Sequence, residues 1–195
     1  LGNEGVPTIP EYLYKTGKKG LRIGFDGRIL RKFYVDRMLN CCQELDPVFV
    51  CTKDMAGELW DERPALSKEE IFVLPEEYRA RSIDEKERLV REKMDEEHAD
   101  FLFVSKLDDI MWFLGVRGND VECNPVALSY LFLAKDKKYF FVQKDALSPK
   151  AAEYLAINNV CIKEYSEIFS FLEKETEGLS GIADAEETSY LAASI

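Results

Sequence analysis

Residues 101–126 read Phe101-Leu102-Phe103-Val104-Ser105-Lys106-Leu107-Asp108-Asp109-Ile110-Met111-Trp112-Phe113-Leu114-Gly115-Val116-Arg117-Gly118-Asn119-Asp120-Val121-Glu122-Cys123-Asn124-Pro125-Val126. Phe101 to Val104 is a short continuous apolar run, the pattern of a buried strand. Leu107 to Gly115 reads as a short helix. Its first turn carries Asp108 and Asp109, which suit the positive end of a helix, and it stops at a glycine. An Arg-Gly pair and an acidic loop then lead to the Asn124-Pro125 turn. A strand feeding a helix in this way points to an α/β fold.

Working outward, Leu128 to Leu133 and Tyr139 to Val142 read as two strands joined by a hairpin-like turn at Asp136-Lys137-Lys138. A helix over Ser148 to Asn158, a strand over Val160 to Lys163 and a helix over Ser166 to Glu175 follow. Gly178 to Gly181 is a turn, and a last helix starts at about Glu186. On the other side, Ser82 with Glu85 forms a capping box that opens a helix running to about His98. Ile83, Leu89, Val90 and Met94 face one side of that helix, and its charges make a solvated face. The first sixty residues give an amphipathic segment over Ile9 to Tyr14 and a strand over Leu21 to Phe25, broken by Asp26-Gly27. A helix runs from Leu30 to Leu45, stopped by Pro47, followed by a strand over Val48 to Cys51. A short helix capped by Asp54 ends near Trp60. From Arg63-Pro64 to Pro75 the chain is an extended connector with little periodicity, and the lobe boundary falls there. The expectation is α/β with two lobes, each a mixed β-sheet flanked by helices. Their similar element order leaves an ancient duplication open, although no residue-level repeat is visible.

Composition narrows the chemistry. The chain has 195 residues, 26 Lys+Arg against 37 Asp+Glu, and a formal charge of −11, so a phosphate backbone is repelled and no nucleic-acid partner is expected. Hydrophobic residues at 46% and charged residues at 32% are the usage of a soluble globular protein. The longest apolar stretches, such as Ala127 to Ala134, fall far short of the roughly 20 residues that cross a bilayer, so no membrane partner is expected. Leu1 to Pro10 lacks the basic and apolar pattern of a secretory signal. Five cysteines, odd in number and without C-x-x-C, argue against a zinc ribbon or a complete disulfide framework and fit a reducing cytoplasm. His98 is the one histidine, so a two-histidine metal site cannot be built; its place in the last turn of a helix suits the helix dipole. Phosphate-binding loops of the G-x-x-x-x-G-K-[ST] and G-x-G-x-x-G types are missing. Neither catalytic nor metal-ligating residues are assigned. Trp60 and Trp112 read as core anchors, Tyr130 as packed within a strand, and Cys41-Cys42 as one thiol to the core and one to the rim.

The stretch Leu107 to Val126 resembles the amino-terminal region of the Xaa-Pro aminopeptidase (aminopeptidase P) family in its three-domain form. Trp60-Asp61-Glu62-Arg63-Pro64, Tyr78, Ser82 and Lys86 match the same family in order and spacing, as do Pro7-Thr8 and Arg22 to Asp26. The resemblance covers most of the chain and is strongest from Trp60 to Tyr130. It implies that residues 1–62 are the end of a first non-catalytic domain. Residues 63–195 would be a second, of the creatinase/prolidase amino-terminal type with a ribonuclease-H-like motif. The catalytic metallopeptidase domain lies outside this chain by this reading. In the family it holds two divalent metal ions, usually manganese, and removes the first residue from peptides with proline in second position. This chain alone is then expected to be inactive and to hold no cofactor. It would shape the active-site entrance and contribute to a homodimer in the cytoplasm, with the catalytic domain of the same polypeptide and the peptide substrates as partners.

Arg117, Asn124 and Pro125 are the substrate-cleft candidates under this resemblance. A guanidinium beyond a helix end suits a substrate carboxylate or carbonyl, and equally a structural ion pair with Asp108, Asp109 or Asp120. Asn124-Pro125 either orients a loop over the catalytic domain or makes a plain turn. Cys123 stands where family members often carry an aromatic residue or histidine. The rival expectation is a free-standing module that descends from the family and binds a protein or small ligand.

Overall fold

A computed structural model describes residues 4–52 and 54–195. The first three residues of the stretch Leu1 to Pro10, and Lys53, lie outside the described residues. The chain forms two compact units, one of Leu1–Pro64 with Ala185–Ser194 and one of Ala65–Asp184 with Ile195.

In the first unit, α1 (Ile9–Thr16) starts where Thr8 N–H donates to Glu11 Oε2 at 2.7 Å, so one of the orphan donors of the helix start is satisfied. Strand β1 (Arg22–Asp26) is followed by α2 (Lys32–Cys42), and Asp46 in a left-handed conformation plus Pro47 end that segment. Strand β2 (Val48–Thr52) lies parallel to β1, with Arg22 opposite Val48 and Asp26 opposite Thr52. Helix α3 (Met55–Leu59) is capped by Asp54, whose carboxylate accepts from Gly57 N–H at 2.8 Å. Phe25, Val35 and Met38 form the core, packed by Leu13, Leu30, Phe49 and Tyr190. Tyr190 meets Phe25 edge-on at 5.0 Å, and Leu191 N–H donates to Gly27 O at 2.8 Å, so the chain's last turns complete this unit. Cys42 is buried and Cys41 half-buried, as the helical spacing implied. Trp60 is 54% exposed, contrary to its reading as a core anchor, because it lies past the end of a five-residue helix that buries nothing.

The second unit opens with β3 (Phe72–Val73), α4 (Ile83–Glu96), β4 (Phe101–Val104), α5 (Leu107–Leu114) and β5 (Val116–Arg117). There follow β6 (Ser129–Ala134), β7 (Lys138–Val142), α6 (Pro149–Ile157), β8 (Val160–Glu164), α7 (Ile168–Glu175) and β9 (Gly181–Ala183); the chain's last helix is α8 (Tyr190–Ser194), in the first unit. The main sheet has the order β8-β7-β6-β4-β9. Strands β4, β6 and β7 are antiparallel, whereas β8 runs parallel to β7 and β9 parallel to β4. This is the expected mixed sheet flanked by helices, whereas the sheet of the first unit is the parallel pair β1–β2 and not a mixed sheet, its strands being joined by α2, a crossover that makes neighbours parallel.

Both faces of the sheet are covered, which explains the continuous apolar runs of its strands. Leu102, Leu131, Leu133, Phe140, Val142 and Val160 join the core that also takes in Ile83 and Met94 of α4, Ile110 and Leu114 of α5, and Leu155 of α6. On the opposite face Phe101 stacks on Phe132 at 5.0 Å, and Phe171 of α7 meets Phe132 and Tyr139 at 5.2 and 4.8 Å. Tyr130 is packed as expected, stacked between Phe103 and Tyr165.

Several segments differ from the sequence reading. The connector after Pro64 is extended but is structurally paired. Ile71 is fully buried and bonded to Ala146 O, and β3 runs antiparallel to β5 with Phe72 opposite Arg117. Two-residue strands leave no periodicity to read, and the partner is distant in sequence. The same brevity hides β9 behind the turn at Gly178, and the helix expected from about Glu186 begins at Tyr190. His98 stands beyond α4 and not in its last turn; its φ of 54° makes it the left-handed residue that closes the helix, with Ala99 N–H reaching back to Met94 O at 2.8 Å.

One buried ionic cluster ties α4 to the β6–β7 hairpin. Lys138, 5% exposed, pairs with Glu87, which also takes Arg91 at 2.7 Å, and Arg91 donates to Ala134 O. Burial pushes the Glu87 carboxyl up, but hydrogen bonds from Lys138 and Arg91 outweigh it and hold it below its ordinary 4.5. Glu87→Ala strands the Lys138 ammonium and is expected to cost about 3 kcal/mol in urea unfolding, whereas Lys138→Met, which leaves Glu87 paired with Arg91, costs far less. Because the folded value is depressed, the Glu87 contribution is complete above pH 4.5 and is lost as the pH falls through that lower value, so wild type and Glu87→Ala converge in acid. The Ser82 hydroxyl accepts from Glu85 N–H at 3.2 Å while the Glu85 carboxylate accepts from Ser82 N–H at 2.8 Å. Ser82→Ala is expected to lower stability by about 1 kcal/mol on the same unfolding curve.

Candidate functional site

Helix α5 and the loop after it carry every residue singled out as a cleft candidate. The helix ends because Gly115 adopts φ 67°, and its N–H caps Met111 O at 3.0 Å. A side chain there would also meet Arg79 Cδ and the Tyr154 hydroxyl at 3.0 Å, so both conformation and space call for glycine. The chain then pairs with β3 and reaches Gly118, where a Cβ would come within 2.8 Å of the Ala127 side chain. That close approach lets the loop fold back on its own exit.

The loop is clasped by its own backbone. Gly118 N–H donates to Pro125 O at 3.3 Å, Asp120 N–H to Val126 O at 3.0 Å, and Asn124 N–H to Val121 O at 3.1 Å. Cys123 takes φ 60° to make the tip. Asp120 accepts from Leu128 N–H at 2.7 Å through Oδ2, while its Oδ1 is buried with no hydrogen-bond partner among the described residues. The tip residues Val121, Glu122, Cys123, Asn124 and Pro125 are all exposed.

Arg117 and Asn124 are held at opposite ends of one helix. Arg117 Nη1 donates to Met111 O at 2.9 Å and to Val116 O at 2.8 Å, at the carboxyl end of α5. Asn124 Nδ2 donates to Asp108 Oδ1 at 3.2 Å, in its first turn. An eight-residue helix is about 12 Å long, so the two candidates frame α5 and do not touch each other. Pro125 contributes its carbonyl to the loop clasp. Among the described residues Arg117 forms no ion pair with Asp108, Asp109 or Asp120. Asp109 faces Lys106 at 3.9 Å instead, and Asp120 is occupied by Leu128.

Lys86 and Arg79 belong to the same corner. Lys86 is 2% exposed; its ammonium donates to Trp112 O at 2.6 Å and stands 4.8 Å from the centre of the Trp112 ring. Burial pulls its pKa down, and the charges of Arg117 and Arg79 pull it further. Arg79 donates from Nη1 to the Tyr154 hydroxyl at 2.6 Å and lies over that ring. Arg79 was missed in the sequence, where nothing separates it from other surface arginines. Lys86 had a signal beyond its motif, since it falls in the apolar stripe of Ile83, Val90 and Met94 at helical spacing.

Trp112 is 47% exposed and so is not the core anchor expected of it; it points out of the apolar helix toward Lys86 while Met111 and Phe113 take the buried directions. Phe72 and Val121 are also exposed in the elements of this corner. Beside α5 a groove of about 370 Å³ is lined by Val90, Leu102, Val104, Trp112 and Ile182, with Lys106 and Asp109 among its polar groups.

The donor set does not fit a dinuclear metal centre. Among the described residues no three of His, Cys, Asp and Glu stand together as metal ligands, and the Cys42 thiol is pushed up by burial, away from thiolate chemistry. The arrangement suits binding and orientation. None of the described helices is long and apolar enough to cross a membrane.

The creatinase/prolidase N-terminal domain model matches residues 62–195. Xaa-Pro aminopeptidase 1 of Dictyostelium discoideum is 32% identical over 182 residues, which cover 86% of this chain and 28% of that protein. Xaa-Pro aminopeptidase ApepP of Drosophila melanogaster is 34% identical over 168 residues, 83% of this chain and 27% of the relative. The crystal structure of X-prolyl aminopeptidase from Caenorhabditis elegans, described as a cytosolic enzyme with a di-nuclear active site, matches with a TM-score of 0.84 at 28% identity. That match covers 98% of this chain and 32% of the other. This chain therefore spans less than a third of the length of these relatives. The resemblance carried by Leu107 to Val126 is borne out, and the chain belongs to the creatinase/prolidase N-terminal domain family, alongside the corresponding part of the Xaa-Pro aminopeptidases.

Proposed function

We propose that this chain is the non-catalytic amino-terminal portion of an Xaa-Pro aminopeptidase. The observation that carries the reading is the match over 98% of this chain to only 32% of a di-nuclear aminopeptidase, in a chain whose described residues offer no metal-binding cluster. Residues 1–62 are the end of a first non-catalytic domain and residues 63–195 the second. The catalytic domain of the same polypeptide holds two divalent ions, manganese by preference, and supplies the hydrolytic chemistry. The whole protein works in the cytoplasm as a homodimer on peptides with proline in second position.

Within that protein the residues of this chain bind and orient. The clasped loop from Gly118 to Pro125 forms an edge of the substrate cleft, with Asn124 and Pro125 at its exposed tip and Arg117 at its base. A loop already held by its own hydrogen bonds loses little further freedom when substrate arrives. Trp112, Phe72 and Val121 give the catalytic domain an apolar surface to cover.

The test is peptide hydrolysis by the longer polypeptide and by this 195-residue chain. The longer protein is expected to release alanine from Ala-Pro-Ala and to leave Ala-Ala-Ala intact, and the short chain to release none. Arg117→Ala in the longer protein is expected to raise KM about tenfold with little change in kcat, as for lost ground-state binding. Cleavage by the short chain, or a longer protein indifferent to proline, would overturn the reading.

A further inference from the structure

The last turn of α5 gathers more positive charge than a helix end requires. A helix carboxyl terminus carries roughly half a negative charge, which one cation balances. Here Lys86 bonds Trp112 O, Arg117 bonds Met111 O and Val116 O, and the stem of Arg79 lies against Gly115. None of these cations forms an ion pair among the described residues, although the chain carries 37 acidic residues. Glu85 acts on the Lys86 ammonium from a distance while its carboxylate is engaged with Ser82, and a buried ammonium without a directly paired carboxylate is unfavourable unless a further anion comes from elsewhere.

Unused donors point to where that anion sits. Arg79 Nε is buried and has no acceptor among the described residues. Arg117 bonds the helix end through Nη1, and among the described residues its Nε and Nη2 have no hydrogen-bond acceptor. Arginine edges match planar carboxylates in a two-pronged fashion. Phosphate fits less well. Dianions favour helix amino termini and backbone N–H nests, whereas the negative pole of a helix carboxyl end repels a double charge more than a single one.

We propose that Arg79 and Arg117, backed by the buried ammonium of Lys86, form a carboxylate-binding site at the carboxyl end of α5. Two sources share this chemistry: the carboxyl terminus of a short peptide, and an acidic side chain of a neighbouring polypeptide. Assignment to the peptide terminus rests on the aminopeptidase reading; the site itself does not.

The experiment titrates the 195-residue chain with N-acetylglycine and, as control, N-acetylglycinamide, following the Arg Nε–H signals by nitrogen-15 NMR. N-acetylglycine is expected to shift the Arg79 and Arg117 signals saturably with a dissociation constant in the millimolar range, and the amide to leave them in place. Arg117→Lys keeps the charge and a donor for the helix end but removes the fork, and is expected to weaken binding about tenfold while the backbone spectrum stays folded. Unmoved arginine signals, equal shifts with acid and amide, or unchanged affinity in a folded Arg117→Lys chain would overturn the site. Tighter binding of Ala-Pro-Ala than of N-acetylglycine supports both the site and the peptide terminus as its ligand. Equal binding of the two supports the site with an acidic side chain as its natural ligand, and counts against the aminopeptidase assignment alone.

Discussion

The left-handed turn at Gly115 is the constraint on which the second unit's functional corner depends. Only a residue without a Cβ both adopts φ 67° at low cost and leaves room for Arg79 and Tyr154, which close over it. With α5 stopped at that point, Val116 and Arg117 run straight into an antiparallel pairing with Phe72 and Val73, and the loop to Pro125 starts in a defined direction. Had the helix continued one more turn, Arg117 would have left the helix end whose carbonyls it now holds.

Around that turn, polar groups are placed where burial makes them count. The Lys86 ammonium is trapped between α4 and the end of α5, and the Lys138–Glu87–Arg91 cluster joins α4 to the β6–β7 hairpin. The two clusters differ in kind. The second pairs both of its cations with the Glu87 carboxylate and reads as structure, whereas the first brings cations, carbonyls and an aromatic ring together with no ion pair among the described residues. In a protein with a formal charge of −11, one buried lysine and two half-buried arginines that form no ion pair among the described residues make a local field opposite in sign to the net charge.

Helices and long strands were legible in the sequence wherever a local signal reports a local structure. The Ser82–Glu85 box, the glycine after Leu114, the proline after Asp46 and the apolar runs at Phe101 and Leu128 each act within a few residues of the feature they specify. The failures share a cause. Strands β3, β5 and β9 have two or three residues and exist only because a distant segment supplies the hydrogen bonds. Trp60 and Trp112 were read from apolar neighbours, but whether an indole is covered depends on which side of a short helix it leaves, and the neighbouring Met111 and Phe113 had taken the inward directions. At the site, the Arg-Gly and Asn-Pro pairs marked the loop, yet their spacing could not tell that Arg117 would bond carbonyls while Asn124 reached Asp108 at the far end of α5.

By itself the sequence determined the α/β class, the order of most elements, the family and the absence of a second histidine for metal chemistry, because each follows from residue type, short-range spacing or motif. Tertiary structure alone decided that Ala185–Ser194 returns to the first unit, that Ile71 is a buried anchor, and that Arg79 joins Lys86 and Arg117. Those outcomes depend on which distant backbones approach closely enough to exclude water and share hydrogen bonds, and no local pattern encodes that distance.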